Sequence, residues 1–235
     1  MLSGTETIVI PARFNGPPGS ANGGYACGLV ASLVGGRAEV TLRRPPPLDR
    51  PLAVAREEDG GRVAVLDGEA LVAEAVALGD EPLALELPSP LSVEDAASAS
   101  RGYAGFRAHA YETCFVCGPA RDDGLGVFPG PVPGRELVAS PWTPPGEGPV
   151  DGLLVWAALD CPSGWAVDEF SREGVLLGRL AAELVGPVAG GEPHVVLGWP
   201  VGAEGRKRLA GSAVFSGEGE LRAYARSTWL VPREA

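Results

Sequence analysis

Apolar and polar positions alternate with a period of two in four early stretches, Ala38–Leu42, Leu52–Glu57, Arg62–Asp67 and Glu69–Leu78. That period predicts half-buried strands, and Asp59-Gly60-Gly61 and Asp67-Gly68 supply the turns between them. Ahead of them, Ser20–Val34 is small, apolar and unbroken, as one buried helix would be. Ser20 or Asn22 can cap it, and Gly35-Gly36 stops it. Past residue 112 the order recurs. Thr113–Val116, Gly124–Pro129 and Glu136–Ser140 read as strands, and Asp151–Leu159 as a helix opened by Asp151. Gly178–Leu184, His194–Pro200, Arg208–Phe215 and Leu221–Val231 then read as strands, the last two joined through Ser216-Gly217-Glu218-Gly219. One helix followed by an antiparallel meander, twice over, predicts an α+β chain of two similar halves. The halves are 1–88 and 113–235, and the Pro-, Ala- and Ser-rich residues 89–112 between them read as a linker with one exposed helical turn.

Composition sharpens this picture in three ways. With 45% hydrophobic residues in 235, the chain has the material for a sizeable core, and its 34 glycines and 23 prolines fall between the apolar runs as turns. A net charge of −11, spread over both halves, opposes phosphate backbones and argues against nucleic-acid binding. No apolar run reaches the length of a membrane span, and Met1–Ile10 lacks the basic start of a signal peptide. The expectation is a cytoplasmic protein whose cysteines, Cys27, Cys114, Cys117 and Cys161, are reduced.

Two segments carry a family pattern, Asn15–Gly28 (NGPPGSANGGYACG) and Pro149–Asp160 (PVDGLLVWAALD), supported by the closing hairpin. The chain resembles a double-hotdog protein of the acyl-CoA thioesterase superfamily over nearly its whole length. In a hotdog unit a curved antiparallel sheet wraps a central helix. The two segments resemble the helix entry of phenylacetyl-CoA-type thioesterases. There an Asn precedes a His-Gly-Gly turn by about seven residues, and an Asp follows the His by nine. Here the halves divide that pattern. Asn15 precedes Asn22-Gly23-Gly24 by seven, with Asn22 in place of His, but the position nine after Asn22 is Ala31. In the second half Asp151-Gly152 holds the turn, Asp160 stands nine later, and Pro144 occupies the Asn position.

The resemblance implies a thioester hydrolase in which Asp160 activates water or attacks directly, with the Gly23/Gly24 amides as oxyanion hole and Asn15 assisting. Asp160 and Gly152 are eight residues apart, roughly 12 Å along a helix at about 1.5 Å per residue. Asp160 therefore needs the N-terminus of another helix, which antiparallel packing against the first helix supplies, one bridging water away at roughly 4–6 Å. Free N–H groups and the helix dipole at Gly23 and Gly24 can polarise a thioester carbonyl, and glycine leaves it room to approach. The mirror site pairs Gly152 with Ala31 and lacks a carboxylate, so one site per chain is expected.

Asn22, Tyr25, Trp156 and Arg206 complete the expected substrate contacts, with Arg206 in the dense basic cluster Arg206-Lys207-Arg208. The substrate class is an acyl-CoA or acyl-carrier thioester of small to medium size. Cys114-Phe115-Val116-Cys117 is a CxxC without a second pair, and His109 and Cys161 could join it only through the fold. The CxxC pair reads as buried small residues in a tight loop, and no metal or cofactor is expected. His109 and His194 lack the carboxylate spacing of a hydratase, and no Gly-x-Ser-x-Gly elbow follows a strand. A second reading is a binding protein for acyl thioesters or lipids without catalysis. Asn22 in place of His favours it, as does Thr228 where related double-hotdog enzymes often carry Gln. In either case two chains are expected to pair as a homodimer.

Overall fold

The computed structural model describes residues 6–57, 60–167 and 175–232; Met1–Thr5 and Asp59, used above for the chain start and a hairpin, lie outside them. The first elements are β1 (Thr7–Ile8), α1 (Gly23–Ser32), β2 (Ala38–Leu42), β3 (Leu52–Arg56), β4 (Arg62–Asp67), β5 (Ala70–Ala77) and α2 (Val93–Ser100). There follow β6 (Gly130–Pro131), β7 (Val138–Trp142), β8 (Gly148–Pro149), α3 (Gly152–Trp165), β9 (Leu176–Leu184), β10 (Ala189–Gly190), β11 (His194–Glu204), β12 (Lys207–Ser216) and β13 (Leu221–Leu230).

Eleven of these strands form one antiparallel sheet, in the order β1-β3-β4-β5-β2-β9-β13-β12-β11-β7-β6. β8 and β10 pair separately. The seam is β2 against β9, with Glu39 opposite Ala181, Val40 opposite Leu180 and Thr41 opposite Arg179. Moving away from the seam, β2-β5-β4-β3-β1 on one side is matched by β9-β13-β12-β11-β7 on the other. α1 packs on β2, β5 and β9, and α3 on β7, β9, β11, β12 and β13, so both helices share one face of the sheet and touch each other.

The alternation seen in the sequence now has a cause. Val40, Val54, Val63 and Val65 point into the core beneath the helices. In the second half the opposite face is covered as well. Leu83, Ala96 and Ala99 lie over Val195, Leu197, Ala213, Phe215 and Tyr224. β11 and β12 are consequently buried on both faces, which explains their near-continuous apolar runs. The covering segment includes α2, capped by Ser92 Oγ, which accepts from Asp95 N at 3.0 Å. What read as one exposed turn of a linker is a helix with Ala96 and Ala99 buried against the sheet.

Two further expectations are corrected. Thr113–Val116 and Gly124–Pro129 are loop, not strand, although backbone bonds tie them together: Leu125 N donates to Phe115 O at 2.8 Å and Val127 N to Val116 O at 3.0 Å. α3 also runs past Leu159, through Pro162, to Trp165. Proline removes one helical N–H, but packing retains the turn. Ser163 Oγ donates to Asp160 O at 2.7 Å, and a Cβ on Gly198 of β11 would stand 2.1 Å from Pro162 O. Among the described residues no helix is long and apolar enough to cross a membrane.

Candidate active site

The site is built where the start of α1 meets the middle of α3. Asn22 anchors the helix entry: its N–H donates to Phe14 O at 2.7 Å and its Oδ1 accepts from Tyr25 N at 2.9 Å. Its remaining side-chain polar atom, Nδ2, donates to Asp160 Oδ2 at 2.8 Å. The same oxygen accepts from Gly24 N, also at 2.8 Å. The helices are antiparallel here, since Gly24 faces Ala157 and Asp160 whereas Gly28 faces Leu153 and Trp156. A Cβ on Gly24 would stand 2.5 Å from both Asp160 Cβ and Trp156 O, so this approach requires glycine.

Asp160 is 2% exposed. Its Oδ1 is buried and has no hydrogen-bond partner among the described residues. Burial pushes the carboxyl up to about 7, and the Cys114 sulfur adds to the rise, against the pull of the Gly24 N–H and the Asn22 amide. A half-satisfied buried carboxyl is a costly arrangement of the kind found at working sites. Gly23 N, by contrast, donates to nothing among the described residues, and Gly23 is only half-buried. It is the free amide at the positive end of α1.

Asp160, Asn22 and Gly23 border a cavity of about 390 Å³. Its walls are largely apolar, with Leu42, Val175, Leu177 and Trp229 among them, and Arg43 and Arg44 also line it. Arg43 pairs with Glu74. Arg44 is exposed and has no ion-pair or hydrogen-bond partner for its guanidinium among the described residues. Apolar walls with one carboxylate, one free amide and one free cation suit a ligand with an acyl chain, a polarisable carbonyl and an anionic group.

The structure thus brings Asp160, Asn22, Gly23 and Gly24 together and leaves other expected residues elsewhere. Gly24 is adjacent to Asp160 directly rather than through water, and its N–H, being taken by the carboxylate, is not available as an oxyanion donor. Asn15 has its side chain engaged outside the cavity lining: Nδ2 donates to Thr113 O at 2.9 Å and Oδ1 accepts from Arg121 at 2.6 Å. Tyr25 stacks on Phe14 with ring centroids 3.8 Å apart. Trp156 packs beneath Gly28 and borders a second depression, on the mirror side, together with Ala31, Asp151 and Gly152. Arg206 sits in the β11–β12 turn, where it donates to Val231 O at 2.9 Å. The cations that do reach the cavity are Arg43 and Arg44, whose sequence signal is a basic pair ending a strand ahead of Pro45-Pro46. Cys114 and Cys117 are buried in a loop, as expected, and they also converge with Cys161.

No protein-family model and no curated protein matches the chain. Solved structures do. A putative thioesterase from Novosphingobium aromaticivorans is 16% identical, with a TM-score of 0.65 over 97% of this chain and 95% of that one. A hot dog fold protein of unknown function from Alicyclobacillus acidocaldarius is 11% identical, with a TM-score of 0.65 over 100% of this chain and 97% of that one. The fold is the hot dog fold. An acyl-CoA thioesterase II from Mycobacterium marinum is a further hot dog relative in shape, 16% identical with a TM-score of 0.55 over 92% of this chain and 93% of that one. At these identities the likeness concerns architecture, and the chemistry rests on the residues themselves.

Proposed function

We propose that this hot dog chain hydrolyses an acyl thioester of small to medium acyl group, with Asp160 as the catalytic carboxylate. The observation that carries the reading is the Asp160 carboxylate itself, buried against the N-terminus of the facing helix with Oδ1 unpartnered, on a residue that lines an apolar cavity. In this reading Asn22 and Gly24 hold Oδ2 and orient the group. Oδ1 takes the proton of an attacking water, or attacks the carbonyl to form an anhydride that water then cleaves. The Gly23 N–H and the α1 dipole stabilise the oxyanion, and the thiolate departs toward the cavity mouth. Arg44, with Arg43 beside it, receives the phosphates of a coenzyme A-type thiol, the part first assigned to Arg206. The thioesterase names of proteins with this fold agree with the reading. Pairing of two chains into a homodimer, checked by light scattering, belongs to the same proposal.

A second reading, thioester binding without turnover, is favoured by one observation: the direct 2.8 Å bond from Gly24 N to Asp160 leaves no place for water between them. A thiol-release assay across short, medium, long and aromatic acyl-CoAs separates the two. Release that saturates with one acyl class supports hydrolysis; tight binding of the same compounds without release supports the second reading.

A further inference from the structure

Three of the four cysteines meet at one point. The sulfurs of Cys114, Cys117 and Cys161 all lie within 4.8 Å of one another, and all three residues are buried. Cys114 Sγ and Cys161 Sγ are 3.7 Å apart with no disulfide between them. Two thiolates on a tetrahedral zinc, each at about 2.3 Å, would be about 3.8 Å apart. Two of the cysteines stand on the loop before β6 and the third on α3, so the cluster forms only in the folded chain.

A tight backbone turn and two side-chain donors surround the sulfurs. The knuckle is closed by Gly118, whose N–H donates to Cys114 O at 2.9 Å. A Cβ there would stand 2.5 Å from both Cys114 N and Glu112 O. His109 Nδ1 accepts from Tyr111 N at 2.8 Å, so the ring proton sits on Nε2, which faces Cys117 Sγ at 3.3 Å. Asn22 Nδ2 lies 3.9 Å from Cys161 Sγ and 4.0 Å from Cys114 Sγ. The His109 N–H and the Asn22 amide suit thiolates around a cation better than neutral thiols.

We infer that Cys114, Cys117 and Cys161 form a three-thiolate site for a thiophilic divalent cation of the zinc class, with His109 as a hydrogen-bond donor to Cys117 and not itself a ligand. No carboxylate oxygen among the described residues joins the cluster, so the donor set is sulfur alone, which selects zinc over magnesium or calcium. The cation would fasten the loop to α3 at the residue after Asp160, fixing the height of that carboxylate against α1. Three protein ligands leave one tetrahedral position for an atom from outside the chain, and Cys114 and Cys161 border the cavity through which one arrives.

The test needs no turnover and stands whether or not the chain hydrolyses thioesters. The full chain, expressed with added zinc and purified without chelator, is expected to carry about one zinc by plasma mass spectrometry. Replacing the zinc with Co²⁺ is expected to give a thiolate-to-cobalt charge-transfer band and the visible absorption of a tetrahedral ion. Cys161→Ser and Cys114→Ser should remove both signals, and Cys27→Ala should retain them. His109→Gln should weaken zinc binding by about 10–100-fold in a chelator competition. A zinc-free wild-type protein that gives no cobalt band with its thiols reduced overturns the site. So does a disulfide within the cluster in protein kept anaerobic. Because the wild-type measurements decide first, misfolding of a variant does not rescue the idea.

Discussion

The beginnings of α1 and α3 occupy matching places on the two sides of the β2–β9 seam, yet their chemistry differs. At α1, Asn22 Oδ1 caps Tyr25 N and leaves Gly24 N for a carboxylate from the other helix. At α3, Asp151 Oδ1 caps Leu153 N at 2.9 Å, and the residue across from it is Ala31, a methyl group. The depression there, about 650 Å³, is the larger of the two. Its arginine, Arg37, is already tied to Glu183 and to the carbonyls of Gly79 and Glu81. Size alone therefore does not make a site. Each helix start has an amide without a partner among the described residues, Gly23 N and Gly152 N; a carboxylate supplied by the facing helix and a cation without a counter-ion distinguish the first place from the second.

The comparison breaks most visibly at Asp160. Asp160→Asn keeps the shape and removes the base, so kcat for thioester release should fall about 10²-fold or more while binding of a thioether analogue changes little. An unchanged rate would move the chemistry elsewhere. Gly24→Ala comes next. Its Cβ would meet Asp160 Cβ and Trp156 O, so the helices must part. Overpacking of this kind costs about 1–3 kcal/mol, which calorimetry would record as a drop of about 3–10 °C in Tm, accompanied by loss of release. Arg44→Ala should raise KM for acyl-CoA by about 3–10-fold, as loss of an exposed phosphate contact does, and leave a short thioester without phosphates unaffected. An equal effect on both substrates would remove the anion role. The smallest effect is expected at the mirror place: Asp151→Asn preserves the cap on Leu153 and should alter release by less than about 2-fold.

Much of the fold is legible in the sequence because strand period and helix caps are local. The strands and their turns follow from alternation and glycine placement, and Asn22 and Asp151 are the caps. The covering of β11 and β12 by Leu83, Ala96 and Ala99 is less legible, because a short Ala-rich helix carries little signal of what it packs on. Pro162 inside α3 reads locally as a stop, and only the contact with Gly198 shows why the helix continues. At the site, the facing of Asp160 toward α1 can be reasoned from helix rise. The direct bond to Gly24 cannot, since it depends on how closely two glycine-bearing helix faces approach. Cys161 meets Cys114 and Cys117 through tertiary packing alone, so the sequence can name it as a candidate third thiol but cannot place it.

The central claim is that one of two mirrored places in each chain takes the thioester. Calorimetric titration with a non-hydrolysable thioether analogue of the best acyl-CoA tests this most directly. About one equivalent should bind per chain, with binding weakened by Arg44→Ala and untouched by Asp151→Asn. Two equivalents per chain, or binding that responds to the mirror substitution instead, would contradict the account.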